Sequence, residues 1–462
     1  MFKLFKDFSK KDIFYIILCI LFIVVQVWLD LKLPDYMSEI TVLVQSEDST
    51  LNDILIQGVY MLGCAFGSLI SAVIVGYFSS MIAADFSLDL RKQIFRRVED
   101  FGTEEIKKFS TSSLITRTTN DVTQVEMLIA MGLQMLIKAP IMAVWAISKI
   151  VNKSIELRLL IRGCVVVLLF TIGCLMIIVM PRFQIVQKLI DKINGVTREN
   201  LTGIRVIRAF NAENYQKKRF GDVNNELTKT QLFNQRCFAI LNPVMNIVMQ
   251  FLTLGIYFIG AHLIAAAGMV QKITLFSNMV VFSSYGMQVI MSFLMLAMIF
   301  MMWPRAQVSA RRINEIFDQD ISIKDGTFLG NDTKEVGTVE FKNVSFKYPD
   351  ADDYLLKNIS FKANKGDVVA FIGSTGSGKS SLINLVPRFY DATDGEVLVD
   401  GVNVKDYTQE ALHNKIGYVP QKAVMFTGTV APNVAYGDNG RSKPTLEEIK
   451  KAIEVSQGSE FV

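Results

Sequence analysis

One stretch of this sequence has the spacing of a phosphate-binding loop, Gly-x-x-x-x-Gly-Lys-Ser, over residues 373–380. Glycines let backbone N–H groups turn toward the β- and γ-phosphates of a nucleotide. Lys379 adds a positive charge for those anions, and the hydroxyl of Ser380 is a ligand for Mg²⁺. The apolar run Val368–Ile372 predicts a buried strand before the loop, and residues 380–385 predict a helix after it. This pattern indicates binding of a nucleoside triphosphate.

Two further side chains suit the same chemistry. Tyr348 follows a short predicted strand, Val344–Phe346, and an aromatic ring there is able to stack on adenine. Such stacking contributes about 1–3 kcal/mol per base. Gln421 follows the loop, and its amide is able to coordinate Mg²⁺ or to position the attacking water. Either residue alone is a weak signal, so the argument depends on their combination with the loop.

The rest of the composition indicates a membrane protein. The chain has 462 residues, 51% of them hydrophobic, and a mean hydropathy of +0.33, which is too apolar for a soluble protein of this size. Five cysteines and two histidines show no metal-binding or disulfide spacing, and a net charge of +4 predicts no nucleic-acid partner. Six segments are long enough to span a bilayer: 13–33, 54–83, 127–148, 159–180, 240–266 and 274–303.

Lysine and arginine set the predicted orientation. The N-terminal tail carries four lysines, and the connections between spans two and three and between spans four and five are rich in both lysine and arginine. Residues 34–53 contain neither. Both chain ends are therefore predicted to be cytoplasmic. The connection between spans three and four disagrees, because it carries Lys149, Lys153, Arg158 and Arg162 on the predicted outer side.

A change of composition near residue 305 divides the chain. Residues 1–306 are predicted to form a transmembrane domain of six helices with cytoplasmic extensions. Residues 307–337 are polar and contain glycine, which predicts a linker. Residues 338–462 alternate short strands, turns and the phosphate loop, which predicts part of an α/β nucleotide-binding domain.

In this arrangement the chain resembles the ATP-binding cassette exporters, in which six long transmembrane helices precede a nucleotide-binding domain. Residues 112–121 resemble the segment around the family's first coupling helix, and residues 201–213 resemble the segment leading into the second. By this resemblance Tyr348 matches the adenine-stacking loop and Gln421 the glutamine loop. The pattern is most similar to bacterial multidrug half-transporters, particularly those that pair as heterodimers, with a homodimer as the other possibility.

The resemblance implies an ATP-driven exporter subunit of the cytoplasmic membrane, with ATP and Mg²⁺ as cofactors and a second half-transporter subunit as partner. Its cargo would be drugs, lipids or other amphipathic compounds. Ser380 and Gln421 are the candidate metal ligands, and Gln421 would assist catalysis. The candidate nucleotide-binding residues are Tyr348, Gly373, Ser374, Thr375, Gly376, Ser377, Gly378, Lys379, Ser380, Ser381 and Gln421.

Other parts of the family pattern are expected outside this sequence. The L-S-G-G-Q signature, the strand ending in Asp-Glu and the switch histidine do not occur in it, and the catalytic glutamate is expected beyond Val462. A fragment of a longer protein is the favoured interpretation. The alternative is a truncated, hydrolysis-incompetent or regulatory nucleotide-binding membrane subunit.

Two helical stripes and one lysine are candidates for the cargo path. Met287, Met291, Met295, Met298 and Met302 share one face of the sixth predicted span. We expect them to pack between helices, although a flexible cargo surface is the alternative. A face of the fifth span carries Asn242, Asn246, Met249, Gln250, Thr253 and Tyr257. We expect that face to line a cargo cavity, and hydrogen bonding of the amides between packed helices is the alternative. Lys138 lies within the third span and is expected to extend toward the cytoplasmic interface, with a role in a gate as the alternative.

Overall fold

The structure is a computed structural model, and it describes residues 10–46, 49–151, 155–266, 268–331, 333, 335–437 and 442–462. Some lysines used to predict the orientation, Lys3, Lys6 and Lys153, lie outside the described residues. The chain forms two compact units. The first, called here the helical unit, is Met1–Phe95 with Ile115–Phe317. The second, the C-terminal unit, is Arg96–Leu114 with Asp318–Val462.

Six helices among the described residues are long and apolar enough to cross a membrane, which confirms the predicted number of spans. The helices from the N-terminus to the last span are α1 (Lys10–Gln45), α2 (Leu51–Glu99), α3 (Thr103–Phe109), α4 (Thr111–Thr116), a π-helix (Arg117–Asp121), α5 (Val122–Val151), α6 (Ile155–Thr202), α7 (Ile204–Ala209), α8 (Glu213–Ala239), α9 (Leu241–Ala266) and α10 (Met269–Phe317).

The core of the helical unit comes from apolar residues at helical spacing. Along α1 the buried residues Ile23, Val27 and Leu31 recur every four positions, so they lie on one face. On α9 the corresponding face contains Leu252 and Ile256. The opposite faces of these helices expose large apolar side chains, as expected for helices surrounded by lipid rather than water.

The last helix extends beyond its apolar segment. Helix α10 continues to Phe317, so the predicted linker 307–337 begins inside it. Ile313 and Ile316 are fully buried on this extension, which explains why the helix persists after its apolar window ends.

The C-terminal unit contains a four-stranded antiparallel sheet in the order β2-β1-β3-β4. Its strands are β1 (Val339–Phe346), β2 (Leu356–Ala363), β3 (Asp394–Val399) and β4 (Val402–Asn403). Phe341 on β1 pairs with Phe361 on β2, and their rings stack with centroids 4.6 Å apart. The short helices α11 (Lys379–Leu385), α12 (Gln409–His413), α13 (Val430–Val434) and α14 (Leu446–Val455) complete the unit.

The predicted strand before the phosphate loop is wrong for this structure. Residues Val368–Ile372 have no regular secondary structure, and Val368 and Ile372 are each 96% exposed. A strand needs a neighbour for its backbone N–H and C=O groups. The described residues place no strand beside this segment, so the side chains of Val368 and Ile372 remain uncovered.

Candidate functional site

The phosphate loop has the local geometry that its glycines allow. Gly376 and Gly378 have φ angles of +84° and +91°, in the left-handed region that disfavours side chains. Gly378 is the N-cap residue of α11. A Cβ atom on Gly378 would also lie 2.8 Å from Cδ2 of Leu356, so a larger residue there would require that side chain to shift.

The ammonium group of Lys379 is held against the loop itself. Its Nζ donates hydrogen bonds to the carbonyl oxygens of Gly373 (2.9 Å) and Ser374 (2.8 Å), and it lies 3.4 Å from Oγ of Ser377. The lysine therefore points into the turn of the loop rather than into bulk water. All four residues belong to the predicted nucleotide-binding set.

The structure also brings Tyr348 to the loop. The phenol oxygen of Tyr348 is 2.7 Å from Oγ of Ser381, which is buried at the start of α11. The Tyr348 ring lies edge-on to the rings of Phe346 and Tyr390, with centroid distances of 4.9 Å and 5.3 Å. A tyrosine distant from the loop in sequence is thus hydrogen-bonded to the helix that follows it.

Two residues that sequence reasoning missed lie beside Tyr348. The Nζ atom of Lys107 donates a hydrogen bond of 2.8 Å to the hydroxyl of Tyr390. It also lies 5.1 Å from the ring centroid of Tyr348 and 5.3 Å from that of Tyr390. The only sequence signal for Tyr390 was an aromatic pair shortly after α11, and Lys107 carried no signal, because it is far away in the chain.

The structure does not bring Gln421 to Ser380. Gln421 lies in an exposed bend, and among the described residues no hydrogen bond joins the two side chains. Its segment is nevertheless tied to α11, because the hydroxyl of Tyr418 donates to Oδ1 of Asn384 at 3.1 Å. The assignment of Gln421 as a ligand of Mg²⁺ thus depends on the motif rather than on this geometry.

Two other residues of the predicted nucleotide-binding set, Thr375 and Ser380, are exposed, as expected for a loop that binds a ligand at the surface.

In the helical unit, the prediction for Lys138 is wrong. Its Nζ pairs with Oδ2 of Asp30 on α1 at 3.1 Å, so the ammonium is neutralised inside the bundle instead of reaching the interface. The hydroxyl of Ser68 on α2 donates to the same carboxylate, and Nε2 of Gln288 on α10 donates to the carbonyl of Asp30 at 3.2 Å. Lys138 and Ser68 contact the carboxylate from two other helices, which makes this pairing favourable within lipid.

The methionine stripe does not form part of this chain's core. Met287, Met291 and Met298 are exposed by 40%, 43% and 43%, whereas Val289 and Ile290 on the adjacent face of α10 are buried. Met295 and Met302 are half-buried, so the expected packing is wrong for three of the five methionines within the single chain. On α9 the polar stripe is likewise uncovered: its exposed members are Asn242, Asn246, Gln250 and Tyr257.

Comparison with known proteins decides the family. Residues 16–293, more than half of the chain, match the model of the ABC transporter transmembrane region, and residues 356–460 match that of the ABC transporter domain. This chain belongs to the ABC transporter family. Six membrane helices joined to an ATP-binding domain make it a half-transporter of the exporter type, a multi-pass membrane protein that works as a dimer.

Individual relatives extend along most of the chain. An uncharacterized ABC transporter ATP-binding protein of Mycobacterium tuberculosis is 35% identical over 406 residues, covering 88% of this chain and 69% of the relative. An uncharacterized ABC transporter ATP-binding protein of Bacillus subtilis is 30% identical over 412 residues, covering 89% of this chain and 70% of the relative. The ATP-dependent lipid A-core flippase of Pseudomonas aeruginosa is 27% identical over 398 residues, covering 84% and 62%.

Proposed function

We propose that this half-transporter binds Mg²⁺-ATP at the loop 373–380 and uses it to export an amphipathic compound across the cytoplasmic membrane. The observation that carries the nucleotide assignment is the set of contacts around the loop. Lys379 is directed into the turn, and Tyr348 is hydrogen-bonded to Ser381 at the helix that follows. One charged group for the phosphates and one aromatic ring for the base therefore belong to the same small region.

In the nucleotide-bound protein, phosphate oxygens would replace the Gly373 and Ser374 carbonyls as partners of Lys379. An anionic acceptor forms a stronger hydrogen bond with an ammonium than a neutral carbonyl does, so this exchange is favourable. Backbone N–H groups of the glycine turn would bind the same phosphates. Ser380 would hold Mg²⁺, and Gln421 would approach the metal or the attacking water when its segment closes on the site.

We further infer that both ends of the chain are cytoplasmic and that the cargo is a drug, a lipid or another amphipathic molecule. The exposed methionines of α10 and the exposed amides of α9 support such a cargo, because they offer adaptable apolar and hydrogen-bonding surfaces. One relative is named a lipid A-core flippase, which makes a lipid one reasonable choice. A heterodimer with a second half-transporter is favoured over a homodimer on the sequence pattern alone.

The decisive experiment is ATP photolabelling of the full-length complex with Lys379→Ala. Loss of a charge-assisted hydrogen bond lowers the binding free energy by about 1.5–3 kcal/mol. Half-maximal labelling at this subunit should therefore require an ATP concentration at least roughly tenfold higher than in the wild type. Lys443→Ala is the matched control, because Lys443 is an exposed lysine of the same unit outside the loop. Equal labelling of the wild type and Lys379→Ala would refute the nucleotide assignment.

A further inference from the structure

A lysine from the connection between spans two and three contacts the aromatic residues of the nucleotide site. Lys107 lies on α3, within the segment Arg96–Leu114 that belongs to the C-terminal unit. Its ammonium lies near the ring centroids of both Tyr348 and Tyr390 and donates to the Tyr390 hydroxyl. A cation within about 6 Å of an aromatic centroid is attracted by the negative face of the ring.

Several contacts hold the Tyr348 ring in one orientation. Its hydroxyl is fixed by Ser381, and the rings of Phe346 and Tyr390 pack nearly perpendicular to its own. Lys107 joins two members of this set, because one ammonium contacts both tyrosines. A stacking platform binds a base best when its orientation is fixed beforehand, since no side-chain freedom is then lost on binding.

We propose that Lys107 is a positioning residue for the purine base of the nucleotide: it holds Tyr348 against the buried Tyr390 and so fixes the Tyr348 ring as a preformed stacking platform. The inference rests on the proposed function, because it assumes that the loop 373–380 binds the triphosphate of the same nucleotide. The proposal places part of base recognition on α3, in the connection between membrane spans two and three. The phosphates are bound elsewhere, so Lys107 acts on the base alone.

The Lys107 ammonium keeps its charge at neutral pH. The hydrogen bond to Tyr390 raises the pKa of Lys107 above its usual value, burial opposes this, and the two tyrosines add a smaller increase. Its interaction with the rings is therefore insensitive to pH in the physiological range.

Helix α3 is held in place independently of Lys107. Oε1 of the buried Glu105 accepts a hydrogen bond of 2.8 Å from the backbone N–H of Ser322. Lys108 donates to Oε1 of Gln319 at 2.8 Å, on the same segment. Replacing Lys107 should thus leave the helix bound. Lys108→Met is the matched control: it removes a neighbouring lysine and its exposed contact with Gln319, leaves the buried contact of Glu105 in place, and does not alter the contacts of either tyrosine.

The test measures equilibrium binding of ATP and of inorganic tripolyphosphate to the full-length complex. Lys107→Met should weaken ATP binding about three- to tenfold, as expected from loss of a partly buried cation–π contact and its hydrogen bond. Tripolyphosphate binding should not change, because it has no base. Lys107→Arg should restore ATP binding, since a guanidinium also contacts ring faces. Lys108→Met should remain within about twofold of the wild type.

Four results would overturn the inference. Unchanged ATP affinity in Lys107→Met would show that the contact does not matter for the base. Tighter binding would show that Lys107 competes with adenine for the ring. A parallel loss of tripolyphosphate binding would show a general disturbance of the site. If the wild type binds tripolyphosphate but shows no preference for ATP, the inference fails while the phosphate site stands. If Lys379→Ala alters neither ligand, the proposed function itself fails.

Discussion

At the scale of single residues, the backbone of the phosphate loop is the most constrained feature of the candidate site. Two glycines in left-handed conformations turn the chain so that Lys379 folds back on its own loop. This geometry is local, because it depends on a few φ angles and on the packing of Leu356 against Gly378. The side chains that complete the site, Tyr348 and Lys107, are fixed instead by contacts with distant parts of the chain.

Gly378→Ala should damage the loop. Alanine at a φ of +91° is strained, which costs roughly 1–3 kcal/mol, and its Cβ would meet Leu356. We expect at least about tenfold weaker ATP binding in the full-length complex, because the loop must shift to relieve the strain. Gly417→Ala is the control, since a Cβ atom there meets nothing within 4 Å. Wild-type ATP affinity in Gly378→Ala would show that the loop adopts another conformation.

At the scale of elements, a buried charge cluster joins the π-helix to the end of α10. Nη2 of Arg117 pairs with Glu315 at 2.8 Å, and Nη1 of Arg312 pairs with Asp121 at 3.3 Å. The hydroxyl of Ser309 donates to Oδ1 of Asp121 at 2.9 Å. Arg117 and Asp121 are almost completely buried, so each depends on its partners for compensation. π-Helical turns are rare and often functional, and this one presents both charges to the same helix.

Asp121→Ala should therefore destabilise the helical unit. It leaves the Ser309 hydroxyl and the Arg312 guanidinium without this carboxylate, which costs roughly 3 kcal/mol, the lower end of the range for a broken buried pair because Arg312 keeps access to water. The midpoint of thermal inactivation of the purified protein should fall clearly. Arg91→Ala, which removes an exposed pair with Glu126, should change it little. Equal midpoints for the two variants would contradict a structural role for the cluster.

At the scale of the whole molecule, the chain leaves the helical unit after Phe95, returns at Ile115 and leaves again after Phe317. The orientation of that path across the membrane is predicted from the lysine and arginine distribution. The connection between spans one and two contains neither residue, whereas that between spans four and five contains many. The long polar helix α8 belongs to the second of these connections and is predicted to be cytoplasmic.

Cysteine labelling tests this orientation in intact cells. Ser46→Cys should react with an impermeant thiol reagent, because Ser46 lies at the outer end of α1 in the predicted orientation. Asn224→Cys, on an exposed position of α8, should react only after permeabilisation. The parent chain, with its five cysteines, is the background control.

The contested connection is tested at Asn152, which lies outside the described residues and is predicted to be outside the cell. Labelling of Asn152→Cys only after permeabilisation would contradict the six-span orientation.

The sequence alone determined the six membrane helices and the phosphate loop, because long apolar runs and glycine spacing are local signals. Only the tertiary structure decided which charged and aromatic groups meet. Asp30 with Lys138, and Lys107 with Tyr348, are distant in sequence, and no periodicity relates them. The strand predicted at Val368–Ile372 is wrong for the same reason. An apolar run indicates that a segment favours burial, but a strand also requires a hydrogen-bonding neighbour from elsewhere in the fold.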